Sequence, residues 1–406
     1  MLILTRRHSL WVAIVVLQIF YLAWQWYHLQ LFESHAASKC PQQKRIALQV
    51  MLTDSGKKKK KSHEHIQSLR PGLPISKEMV RVFPYFNYSF PCFPAEDGWN
   101  TLPVQKVGTR RGFLYVKARK AGSSTVAGVA LRIARSIAQK RHLSTPVCQV
   151  RYNHPMASKL KYKDRIKAES FLWSILREPT RRFVSEFFHF GFSRNFIQPT
   201  VSNIRKYMLE TKPSIHNYYL RWLAVDKPFD YPIDFPNIPR FITSIISEYD
   251  FLGISERLDE SLVALQMILN LTTSDILYLS SKVNGGWDDG IYRNQCYYIF
   301  PSYISDGMKN YFQNSEEWYN FSVGDDLLYR AVNASLEKTI AYLGNDFAKN
   351  LRIYRWALKK ADMACRQNVS FPCTEGGKRN LENDCMVWDS GCGMECLDRV
   401  SKEIKL

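Results

Sequence analysis

Lys117–Thr125 reads KARKAGSST and follows directly on the apolar run GFLYV of Gly112–Val116. A short, unbroken apolar run is the pattern of a strand buried on both faces. Beyond the polar turn, Val126, Ala130, Ile133 and Ile137 recur at the spacing of one helix face. Strand, turn and helix succeed one another within a few residues. A second unit repeats the form: Phe171–Leu176 is apolar, Arg177–Ser185 reads REPTRRFVS, and Phe183, Val184, Phe187 and Phe188 continue at helical spacing. Further along, Phe251–Ile254 leads into Leu258, Leu262, Leu265 and Leu269, and Ile276–Leu279 reads as another strand. Leu328, Val332, Leu336 and Ile340 form a late helix that Gly344 closes. Short apolar strands alternating with amphipathic helices predict an α/β fold whose sheet is largely parallel.

The two turns share a chemistry. Ligands of parallel sheets bind at the carboxyl ends of strands, where helix N-termini present N–H groups and a positive dipole end. In the first turn Gly122 lets the backbone approach an anion closely, Ser123, Ser124 and Thr125 add hydroxyl donors, and Lys120 adds a mobile charge. The nucleotide P-loop pattern GxxxxGK[ST] is absent, and here the lysine precedes the glycine. A basic surface loop with a serine cap is the plainer alternative for this turn. In the second turn Arg177 ends a strand and Pro179 breaks the backbone. A helix starting at Thr180 would carry Ser185, so that an arginine fork and a hydroxyl meet one phosphate. Its plainer alternative is a surface helix whose arginines pair with Glu178 or Glu186. Two such turns on one sheet suit a ligand with two separate phosphate clusters.

The rest of the chain narrows the compartment. A formal charge of +19, strongly positive even without the lysine run Lys57–Lys61, favours a polyanionic partner: nucleic acid, acidic glycan, membrane surface or phosphorylated cofactor. Leu10–Phe32 is almost uncharged, follows Arg6, Arg7 and His8, and carries Trp24, Trp26 and Tyr27 near its far end. That is the pattern of a membrane span with a cytoplasmic N-terminus. A cleaved signal peptide ending near Ala36–Ala37 is the rival, and Lys57–Lys61 on the far side argues against the orientation. Sequons at Asn87, Asn270, Asn320, Asn333 and Asn368 agree with a lumenal body. So does the crowding of Cys365, Cys373, Cys385, Cys392 and Cys396 into the tail, which reads as disulfides rather than zinc because the tail has no His and no paired CxxC. With nine cysteines at least one thiol stays unpaired within the chain, and Cys40 is placed to bridge two subunits of a homodimer. No HExxH or other dense ligand motif occurs, and no metal is expected. The span and the sequons argue against nucleic acid as a partner.

KARKAGSST and REPTRRFVS, in this order and at this separation, resemble the two phosphate-binding elements of membrane-anchored Golgi carbohydrate sulfotransferases. The galactose 3-O- and uronosyl 2-O-sulfotransferase branches are the nearest likenesses. In that family a KTxKTASST-like loop grips the 5′-phosphosulfate of PAPS (3′-phosphoadenylyl sulfate), and an RDPxxRxxS-like element grips the 3′-phosphate. The resemblance places Lys117, Lys120, Gly122, Ser123, Ser124 and Thr125 in the first, and Arg177, Pro179, Arg182 and Ser185 in the second. Arg119, Ala121 and Gly122 depart from the first pattern, and Glu178 replaces the usual aspartate. Glu256–Leu262 (ERLDESL) resembles a recurrent late segment, and the likeness spans roughly residues 106–344.

The resemblance implies a P-loop-like sulfotransferase fold and transfer of a sulfuryl group from PAPS to a glycan hydroxyl. Lys120 would neutralise the leaving phosphate, and His154, between the first helix and the second strand, would be the general base, with His189 and Glu186 as runners-up. The organisation expected is a cytoplasmic tail at 1–9, a transmembrane signal-anchor at 10–32, a stem and irregular lead-in at 33–105, a sulfotransferase domain at 106–360 and a disulfide-rich tail at 361–406. The body would be lumenal in the Golgi. Two other readings share these features: a lumenal glycosyltransferase, which usually carries the Asp-x-Asp absent here, and an inert glycan-binding protein.

Overall fold

A computed structural model describes residues 72–87, 93–94, 111–140, 146–147, 156–210, 216–228, 231–280, 285–288 and 295–405. The expected membrane anchor and stem, Lys57–Lys61, Cys40 and His154 lie outside the described residues. Among the described residues, no helix is long and apolar enough to cross a membrane.

The centre is a parallel sheet of three strands, β1 (Gly112–Tyr115), β2 (Ser170–Leu176) and β3 (Phe251–Ile254), in the order β1-β2-β3. Phe113 pairs with Phe171 and Tyr115 with Trp173 on one side of β2, and Ser174 with Leu252 and Leu176 with Ile254 on the other. Every residue of the three strands is buried. That burial is why the strands read as continuous apolar runs instead of alternating ones. Trp173 is the hub of an aromatic column, with ring centroids 5.1 Å from Phe113 and 4.6 Å from Tyr115. Each such side chain contributes roughly 1.5–3 kcal/mol by leaving water.

Each strand runs through a short turn into a helix: β1 into α1 (Ser123–Lys140), β2 into α2 (Pro179–Glu186), and β3 through a 3₁₀ turn at Ser255–Arg257 into α6 (Leu258–Ile268). Between α2 and β3 lie α3 (Val201–Glu210), α4 (Tyr218–Leu223) and α5 (Ile238–Glu248). After α6 the chain forms a two-residue antiparallel pair, β4 (Gly286–Trp287) with β5 (Tyr298–Ile299), and the helices α7 (Asp306–Asn314), α8 (Glu316–Leu343) and α9 (Asn345–Cys365). Gly344, at φ 69°, ends α8 where the spacing expected it.

Two sequence expectations change. Ile276–Leu279 is not a strand. Thr272 and Asp275 form a capping box that coils Thr273–Ile276 into a 3₁₀ turn, and Asp275 is further held by Ser136 and by Lys140 at 2.8 Å. The segment before β1 also does more than lead in. Met79 and Phe83 are buried in the core, the Phe83 N–H donates to Thr339 Oγ1 at 3.0 Å, and the Phe83 ring lies 5.4 Å from Phe251.

Disulfides close the tail as its cysteine crowding predicts, and Cys296 joins from upstream: Cys296–Cys373, Cys365–Cys396 and Cys385–Cys392. The last spans the hairpin β6 (Cys385–Val387) and β7 (Ser390–Cys392), which α10 (Met394–Glu403) follows. That hairpin seats directly on α1. A Cβ on Gly128 would stand 2.6 Å from the Gly391 nitrogen, so only glycine permits the approach. The tail thereby braces the helix that follows the turn Lys117–Gly122.

Candidate functional site

Three strand ends meet. After β1 the Val116 N–H still donates to Trp173 O at 2.9 Å, and then the chain leaves the sheet. Lys120 and Gly122 both take left-handed backbone, at φ 61° and 73°. The glycine fits that region at no steric cost, whereas lysine is strained there by about 1–2 kcal/mol. Arg177 offsets the strain from the neighbouring turn: its Nη1 donates to the Lys120 carbonyl at 3.2 Å. The Gly122 carbonyl accepts the Val126 N–H at 3.1 Å, so α1 begins immediately. The amides of Ser123, Ser124 and Thr125 therefore fall in its first turn, where helix geometry supplies no intrahelical acceptor. These three residues and Lys120 are half-buried, and Lys117 is buried.

The second turn is built differently. The Glu178 carboxylate folds back to cap α2, accepting the N–H groups of Thr180 at 3.0 Å and Arg181 at 2.8 Å. The N-terminus of α2 is thus already occupied by an anion of the chain itself, and this turn offers side chains instead of amides. Arg177, just before the helix, and Arg181 and Ser185, four residues apart on one face of α2, are its three half-buried positions. Arg182 is not among them. It is 1% exposed, ion-paired with Glu186, and its guanidinium stands 4.2 Å over the Tyr218 ring. The resemblance selected Arg182, whereas the helix brings Arg181 to the face of Ser185. Glu186, four residues after Arg182, was the signal for an internal pair.

The third end supplies Ser255 and Glu256. Ser255 Oγ lies 3.4 Å from the point a Gly122 Cβ would occupy. The Glu256 carboxylate accepts the Glu178 N–H at 3.1 Å, takes a hydrogen bond from Tyr329 Oη at 3.3 Å, and stands 3.9 Å from Arg177 Nε. Burial raises the Glu256 pKa, opposed by the Glu178 N–H and by Arg177. Burial likewise lowers that of Arg177, opposed by Glu256. Two tyrosines of α4, silent in the sequence reading, reach the same turns. Tyr218 Oη accepts the Arg119 N–H at 2.7 Å, and Tyr219 Oη accepts the Arg177 N–H at 2.8 Å.

The runner-up bases are engaged by neighbours of their own. His189 is buried in the π-helical turn Phe187–Phe192, with its ring 4.5 Å from Phe190 and its Nε2 3.7 Å from Asp288. Glu186 is committed to Arg182. Among the described residues, no group of three or more His, Cys, Asp or Glu is placed to hold a metal.

Two cationic turns thus abut at adjacent strand ends of a parallel sheet, the place where ligands of such sheets bind. Residues 106–282 match the family model described as the sulfotransferase family, a span that includes all three strands and both turns. The three-stranded parallel sheet flanked by helices fits a sulfotransferase fold, and the match supports enzymatic sulfuryl transfer. No curated protein matches the chain.

Proposed function

We propose that this chain transfers a sulfuryl group from PAPS to a hydroxyl of a glycan. The observation that carries the reading is the hydrogen bond from the Arg177 guanidinium to the Lys120 carbonyl, 3.2 Å long, which sets the two cationic turns side by side. PAPS carries a phosphosulfate at its 5′ end and a phosphate at its 3′ position, and so has one anionic group for each turn. The residues fit it. The bare Cα of Gly122 leaves the backbone open to close approach, and the first-turn amides and hydroxyls of Ser123, Ser124 and Thr125 are donors for the 5′-phosphate. Lys117 and Lys120 add positive charge there. Arg177 and Ser185 hold the 3′-phosphate with Arg181 beside them, and Arg182 steadies α2 through Glu186.

The donor supplies an activated sulfuryl group, and the protein's task is positioning and charge neutralisation. Lys120 balances the negative charge that grows on the leaving phosphate oxygen. His154 accepts the proton of the acceptor hydroxyl, a task suited to an imidazole near neutral pH. The apolar segment 10–32, the sequons and the disulfides support a type II Golgi membrane protein with a lumenal body, and the positive charge supports an acidic glycan partner. Incubating the full chain with radiolabelled PAPS and a panel of glycans tests the reading. Label in a glycan supports it; no label in any glycan, with a nucleotide sugar consumed in a parallel incubation, overturns it. In the same assay His154→Ala is expected to lose turnover while keeping its affinity for PAPS, and near-normal turnover would remove His154 as the base.

A further inference from the structure

Helix α4 is six residues long, and its first two side chains each end on a different cationic turn. Tyr218 Oη accepts the Arg119 N–H at 2.7 Å, within KARKAGSST. Tyr219 Oη accepts the Arg177 N–H at 2.8 Å and donates to the Arg177 carbonyl at 3.0 Å, so one hydroxyl grips both backbone groups of the residue that opens the second turn. Successive side chains leave a helix about 100° apart, which lets adjacent residues reach the ends of two neighbouring strands. Both rings are buried, at 3% and 0% exposure. The helix is itself anchored: Asp325 accepts the Tyr219 N–H at 2.8 Å, and the Arg182 guanidinium lies against the Tyr218 ring.

We infer that Tyr218 and Tyr219 are positioning residues, Tyr218 setting the turn that receives the donor's 5′ end and Tyr219 the turn that receives its 3′-phosphate. The inference rests on the proposed donor, and it adds a division of labour between two adjacent hydroxyls that do not themselves contact the ligand. Deleting either oxygen removes the partner of a part-buried backbone N–H on one turn and keeps the ring in place.

The test is calorimetric titration of the full chain with adenosine 3′,5′-bisphosphate and with adenosine 5′-phosphate. The ratio of the two affinities reads the 3′-phosphate alone and does not follow general loosening of the fold. Tyr219→Phe is expected to weaken the bisphosphate about tenfold with the monophosphate nearly unchanged, so that the ratio falls about tenfold. Tyr218→Phe is expected to weaken both ligands alike and leave the ratio as it was. If both variants weaken both ligands equally, or neither changes anything, the division of labour is overturned while the donor assignment stands. If the wild-type chain takes up neither nucleotide, the donor assignment falls and this inference with it. Should a variant not fold, amide hydrogen exchange on the wild-type chain answers the same question. The bisphosphate should slow exchange at Arg119 and Arg177, and the monophosphate at Arg119 alone; an identical response to both ligands refutes the inference.

Discussion

Replacing Asp325 with asparagine should stabilise the protein in neutral solution and leave its stability in acid nearly unchanged. Asp325 lies on α8, only 4% exposed, and receives the N–H groups of Tyr219 at 2.8 Å and Leu220 at 3.3 Å. Burial pushes its carboxyl up to about 7, against the pull of Arg182 and of the backbone N–H groups of α4. In an unfolded chain the same group titrates near 3.9. Across the interval from about 4 to 7 the folded protein therefore holds a proton that the unfolded chain has released. The sign follows: this group's contribution is greatest below about pH 4 and is lost as pH rises through about 7. Three pKa units correspond to on the order of 4 kcal/mol.

An asparagine matches the protonated carboxyl in shape, keeps an oxygen to accept the Tyr219 N–H, and has no charge to desolvate. Arg182 keeps Glu186 as its partner. The Asp325→Asn chain should thus lack the decline, gaining up to about 4 kcal/mol over wild type at pH 8 and staying within about 1 kcal/mol of it at pH 4. Urea unfolding at intervals between these pH values, with the disulfides intact and tryptophan fluorescence as the signal, measures both curves. A variant that is less stable than wild type by the same amount at every pH would refute the reasoning. It would mean that Asp325 stays ionised in the fold and that its bonds to α4 outweigh its desolvation.

Three further outcomes can be checked with the same preparations. Lys120→Ala should lower turnover by about 10²–10³-fold in protein that still folds, measured by the same sulfuryl-transfer assay, if Lys120 balances the leaving phosphate as proposed. Arg177→Lys should weaken the affinity for adenosine 3′,5′-bisphosphate by about tenfold or more, measured by calorimetry, since a point charge cannot reproduce the guanidinium that reaches the Lys120 carbonyl and lies near Glu256. Gly128→Ala should destabilise the fold by about 1–3 kcal/mol, read as a lower thermal midpoint, because its Cβ would meet the backbone of the Cys385–Cys392 hairpin.

The three strands and the helices after them were legible because a parallel sheet buried on both faces leaves unbroken apolar runs, and the flanking helices keep one apolar stripe each. The first turn was legible for a local reason: its lysine, glycine and hydroxyls lie together in nine residues. What escaped depends on distant contacts. Ile276–Leu279 carries a strand-like composition, yet Asp275 reaches back to the Thr272 N–H at 2.8 Å and the chain coils instead. Arg181 and Arg182 are adjacent letters, and only the position of Glu186 and the ring of Tyr218 decide which points inward. Tyr218 and Tyr219 sit in YYLRWL, mostly apolar and some forty residues from Arg177, so no periodicity links them to either turn. Glu178 looked like a minor exchange for aspartate, but it turns back to cap its own helix.

Sulfuryl transfer by this chain requires that both turns close on one small molecule. Titrating the full chain with adenosine 3′,5′-bisphosphate in a calorimeter tests this most directly. One ligand bound per chain, with the affinity reduced when either Lys120 or Arg177 is replaced by alanine, is the result expected. No heat of binding from folded protein, or binding that survives both replacements unchanged, would contradict it.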